Sequence, residues 1–104
     1  MKRPMPAAFP ALRRAFGGYL HEDFLVEAGS PESALRAFLT DATPAERRQF
    51  RREAARFLVQ AAAMDLAELH DVLQQLGSRW IPASRDAFMA LLASVAELPK
   101  PPER

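Results

Sequence analysis

Apolar residues recur along this chain at intervals of three and four almost from end to end, while the alternating β-branched and aromatic runs of strands are almost absent. Phe9, Leu12 and Phe16 share one stripe, predicting a first helix from about Pro6 to Phe16, with Gly17 and Gly18 supplying a left-handed stop. Tyr19, Leu20, Phe24 and Leu25 suggest a further helical turn or two. Ser30 before Pro31 reads as an N-cap with proline at the first helical position, so the next helix should run from Pro31 to about Asp41 and bury Leu35, Phe38 and Leu39. Thr43, Pro44, Ala45 and Glu46 form a capping box and open a helix to about Ala63, with Phe50, Ala54, Phe57, Leu58 and Ala61 on one face. Asp65 and Glu68 repeat the capping spacing ahead of Leu66, Leu69, Val72, Leu73 and Leu76, and Gly77 ends that helix. A loop with Trp80 and Pro82 leads to Ser84, the cap of a last helix that adds Phe88, Leu91, Leu92, Val95 and Leu98 to the core.

The pattern predicts an all-α fold, a compact single-domain bundle of about five helices over residues 1–98, with a frayed Pro-rich tail over residues 99–104. A chain of 104 residues is sized for one domain, and no repeat at solenoid spacing suggests otherwise. With 49% hydrophobic and 26% charged residues the composition is that of a globular protein, not a disordered one. The absence of cysteine excludes a disulfide scaffold and a thiolate metal site. Pro6, Pro10, Arg13 and Arg14 interrupt the first segment, so it does not read as a secretion signal, and no apolar run approaches the roughly eighteen residues of a membrane span. The expected location is the cytoplasm, without membrane contact.

Charge changes the picture more than composition does. The formal net charge of +1 conceals two blocks: six acids (Glu22, Asp23, Glu27, Glu32, Asp41, Glu46) against Arg36 between Leu20 and Glu46, then Arg47, Arg48, Arg51, Arg52 and Arg56 against Glu53 alone. Arg47 and Arg51, Arg48 and Arg52, and Arg52 and Arg56 align at i,i+4 on a helix, stacking like charges. Such a stripe could meet phosphates or an acidic protein surface, but the ordinary expectation is a solvated face paired with the acids of the preceding block. Phe50 and Phe57 fall on the core face and offer no base-stacking surface. Tyr19 and Trp80 are expected to be half-buried core lids.

No constellation supports catalysis. His21 and His70 lack a second histidine at helical ligand spacing, no serine sits in a nucleophile elbow, and Gly17 and Gly18 are too few for a phosphate loop. Glu22 and Asp23 are adjacent, so on a helix they point about 100° apart instead of forming an acid/base pair. The expectation is a binding protein: no enzyme, no metal and no cofactor.

Phe16 to Phe24 (F-G-G-Y-L-H-E-D-F) resembles the F-G-G-Y-F-H-x-D-[FW] segment of the contact-dependent growth inhibition immunity proteins of bacteria. Further blocks follow in the same order: Phe9 to Leu12 resembles that family's F-P-x-L, Ala34 to Leu39 its A-L-x-x-F-L, Ala42 to Arg47 its A-x-P-x-E-R, and Leu76 to Pro82 its L-G-x-x-[YW]-x-P. The likeness extends from Phe9 to Leu98, with Leu20, Glu22 and Ser78 departing from the usual residues and the lead into the last helix reduced to Ser84, Arg85, Asp86, Ala87 and Phe88. The resemblance implies a cytoplasmic protein that binds and blocks the toxic C-terminal domain of a cognate system, often a nuclease. A nuclease presents a basic cleft that carboxylates can occupy, so Glu22, Asp23, Glu27 and Glu32 are the candidate contact residues, with Tyr19 and His21 structural. A different class of function, a small helical nucleic-acid-binding or regulatory module, would instead use the stripe from Arg47 to Arg56, although no helix-turn-helix pattern accompanies it.

Overall fold

The structure, a computed structural model, describes residues 8–21 and 29–97. Five α-helices and no strand occur among the described residues: α1 Pro10–Tyr19, α2 Pro31–Asp41, α3 Pro44–Ala61, α4 Leu66–Gln75 and α5 Arg85–Val95. The predicted turn around Phe24 and Leu25, Leu98, and the tail over residues 99–104 lie outside the described residues.

Four of the five helices start where a local side chain satisfies the orphan N–H groups of the first turn. Ser30 and Ser84 accept from the N–H of Ser33 and Ala87 at 3.1 and 3.0 Å. Thr43 with Glu46 and Asp65 with Glu68 close reciprocal capping boxes, each of the four bonds between 2.8 and 3.1 Å. Helix α1 is different, because its N-cap is Phe9, which has no acceptor. Pro10 at the first position has no N–H to satisfy, and the next two donors, Ala11 N and Leu12 N, bond Glu53 Oε1 at 2.8 and 3.0 Å. The cap of α1 thus comes from the middle of α3, a residue 2% exposed whose other oxygen accepts from Gln49 Nε2 at 2.7 Å.

The stop predicted at Gly17 and Gly18 is not used: α1 continues through both to Tyr19, and the glycines with positive φ are Gly29 and Gly77. A methyl group on Gly17 would make only ordinary contacts, 3.6 Å from Leu76 O and 3.9 Å from Gly77 Cα, and the tight position is Gly77. The end of α4 crosses α1 there, and a methyl group on Gly77 would lie 3.0 Å from Gly17 Cα. At Gly77 the sequence expectation holds, since φ is +92° just past the end of α4. The Ser78 hydroxyl, 3% exposed, then bridges the N–H and carbonyl of Trp80, and Arg79 N donates to Leu20 O at 2.8 Å, tying this loop to the end of α1.

Helix α1 packs on α2 and α3, and α5 packs on α2 and α3. Phenylalanines join the elements edge to face: Phe9 to Phe57 at 5.3 Å between ring centres, Phe57 to Phe88 at 5.9 Å, and Phe16 to Phe88 at 6.4 Å. Phe38, beside Phe50, carries Tyr19 at its rim, and Phe88 carries Trp80, both of them half-buried as expected. Leu39 and Leu91 are only partly covered, and Met64, just past α3, joins the core. The radius of gyration, 12.6 Å, matches the roughly 13 Å of a compact domain of about 100 residues.

Candidate functional site

The predicted contact acids divide. Glu22, Asp23 and Glu27 lie outside the described residues. Glu32 stands in the first turn of α2, where a carboxylate complements the helix dipole, and accepts from Arg36 Nε at 3.0 Å, both side chains being about half exposed. Arg36 also donates to Ser94 Oγ on α5 at 3.3 Å, so Glu32 helps to hold a strap between two helices. The two other described acids of that block also have partners. Asp41 accepts from the Tyr19 hydroxyl at 2.7 Å, and this bond, reinforced by desolvation and by the charges of Asp41 and Glu46, raises the phenol above its ordinary pKa. Glu46 accepts from Thr43 N, which, with the Thr43 hydroxyl and the nearby Arg14 charge, holds its carboxyl below the ordinary range.

The arginine block also divides, along a line set by helical phase. Arg47, on one flank of α3, donates to Leu39 O and Ala42 O at 3.2 and 2.7 Å and so closes the C-terminus of α2. Arg56, on the other flank, donates to Ala8 O at 3.2 Å and lies over the Phe9 ring at 5.3 Å. Between them Arg48, Arg51 and Arg52 are exposed and have no hydrogen bond or ion pair among the described residues. The expected pairing of this stripe with the acids of the preceding block is therefore not what the described residues make. Val59, 75% exposed, continues the same outer face about two turns further on.

The remaining described polar groups whose partners are known serve local contacts. His70 Nε2 lies 3.0 Å from Pro82 O, and His21 is half-buried beyond the end of α1. Ser30 and Ser84 are N-caps and Ser78 is a loop clasp. No group of three or more metal-ligating side chains gathers among the described residues, and no described helix is long and apolar enough to cross a membrane. An open depression of about 420 Å³ is lined by Gln74, Gly77, Ser78, Arg79 and Ile81, without a paired acid and base.

Sequence reasoning missed Glu53. Its signal was present, since it is the one acid within the arginine run and falls beside the core stripe of Phe50, Ala54 and Phe57. A carboxylate at such a phase must be paired or it would not be buried.

No curated protein and no solved structure matches the chain. The family model described as CdiI immunity protein matches residues 8–98, a span that includes all five helices and the four predicted contact acids. This chain belongs to the CdiI immunity protein family.

Proposed function

We propose that the protein binds the toxic C-terminal domain of a cognate contact-dependent growth inhibition system, that this domain is a nuclease, and that Glu22, Asp23, Glu27 and Glu32 make the decisive contacts. The observation that supports this reading is the family match over residues 8–98, which carries the immunity role. Blocking a cleft needs binding energy and no bond chemistry, so the protein acts as a stoichiometric inhibitor without metal or cofactor, in the cytoplasm where the toxin does its damage. A cleft built for phosphates is basic, and a block of carboxylates against it gains both association rate and discrimination among partners.

The test is charge reversal. Glu22→Lys with Glu27→Lys is expected to slow association with the purified toxin domain at low salt, to abolish protection of cells expressing that domain, and to leave the far-ultraviolet helical spectrum unchanged. A variant that binds and protects like the parent removes the acidic stretch from the interface.

A further inference from the structure

The arginines of α3 do two kinds of work. Arg47 and Arg56 are anchored to carbonyls of neighbouring segments. Among the described residues Arg48, Arg51 and Arg52 have no such anchor, and at about 100° per residue they fall within an arc of about 100° on the opposite side of the helix from Glu53. Stacking three guanidinium groups at i,i+3 and i,i+4 without an acid opposes helix formation, and nothing among the described residues compensates for it. Ala55 and Val59 lie within the same arc. Val59 is far more exposed than Ile81, the other exposed large apolar side chain among the described residues, at 75% against 41%.

We propose that this outer face of α3, Arg48, Arg51, Arg52 and Val59, is a second contact surface for the toxin domain and takes a patch of it in which carboxylates surround an apolar side chain. This rests on the reading of the chain as a toxin-binding protein. Charge complementarity selects carboxylates or phosphates for the arginines. The apolar centre decides between them, because a phosphate backbone has nothing to lay against Val59 and Ala55, and Phe50 and Phe57, both fully buried, cannot stack on bases. Arginine is enriched at protein contacts, and an apolar side chain among the arginines supplies a centre whose desolvation slows dissociation. The acidic stretch and the α3 face then divide the labour: the first sets the association rate, the second the dissociation rate. A two-signed footprint also rejects toxins that carry only a basic cleft.

The experiment measures association and dissociation rates of the purified toxin domain with the full chain, with Arg48→Glu/Arg52→Glu and with Val59→Ser, helical content being checked by circular dichroism. The charge variant is expected to dissociate about ten-fold or more faster, and Val59→Ser several-fold faster, with smaller changes in association than Glu22→Lys/Glu27→Lys produces. Both variants change exposed side chains and should fold. Parent-like dissociation of both variants overturns the inference and leaves the toxin-binding reading standing, whereas failure of the parent chain to bind the toxin domain overturns both. A parallel titration with a 20-base-pair DNA duplex separates the remaining source of negative charge. Duplex binding that Arg48→Glu/Arg52→Glu abolishes, with toxin dissociation unchanged, would assign the face to phosphates and refute the proposal.

Discussion

Removing the Glu53 carboxylate should uncouple α1 from α3. Three hydrogen bonds converge on that side chain, from Ala11 N at 2.8 Å, Leu12 N at 3.0 Å and Gln49 Nε2 at 2.7 Å, at a position 2% exposed. Glu53→Ala leaves two buried backbone donors without acceptors, each costing about 1–3 kcal/mol, and creates a small void. The expected loss is about 3–5 kcal/mol, a large share of the roughly 5–15 kcal/mol available to a domain. Glu53→Gln has nearly the same shape and keeps one acceptor oxygen, but sets its amide against that of Gln49 unless the latter turns over, so about 1–2 kcal/mol is expected. Urea denaturation followed by circular dichroism measures both, and at about 4–8 °C per kcal/mol the melting temperature should fall in the same order. Amide exchange gives the local signature: Ala11 and Leu12 should lose protection beyond the global change, since a ten-residue helix is marginal without its tertiary contacts. If Glu53→Ala costs less than about 1 kcal/mol, or those two amides keep their relative protection, the cap contributes nothing and the reasoning fails.

Other consequences can be checked on the same footing. Gly77→Ala should destabilise by about 1–3 kcal/mol, from the left-handed φ and the 3.0 Å approach to Gly17, whereas Gly18→Ala, inside α1 with nothing within 4 Å, should be neutral or stabilising by up to about 1 kcal/mol, both read by denaturant titration. Phe57→Ala, at a ring fully buried between Phe9 and Phe88, should cost about 3–5 kcal/mol, and a near-zero change in the same titration would show that α3 presents another face to the core. Because the Glu46 carboxyl is held below its ordinary pKa, chiefly by Thr43 N, its contribution is full above the unfolded value near about 4.3 and is lost as pH falls through the folded one. Glu46→Gln, which keeps a capping acceptor but not the charge, should therefore flatten the melting temperature against pH on that acid limb by lowering it at neutral pH, with little change at the acid end.

Where a helix start depends on residues three positions apart, the sequence determines it. The caps at Ser30, Thr43, Asp65 and Ser84 are all local, so the starts of α2 to α5 were legible from spacing alone, as was the core face of α3. The motifs spread from Phe9 to Leu98 likewise carried the family. Helix α1 shows what spacing cannot carry: its cap is 41 and 42 residues away in Glu53, and its two glycines, which locally read as a stop, lie inside the helix, with the end of α4 coming against Gly17 at Gly77. The division of the arginines was equally a tertiary matter. Side by side in sequence, Arg47 and Arg48 differ in phase by about 100°, which turns one toward the end of α2 and leaves the other in solvent. Local rules fix which segments coil. Which charged side chains become internal caps and which remain for a partner is decided only when the helices lie against one another, because only then do a distant carboxylate, a bare helix end and a guanidinium come within hydrogen-bonding distance.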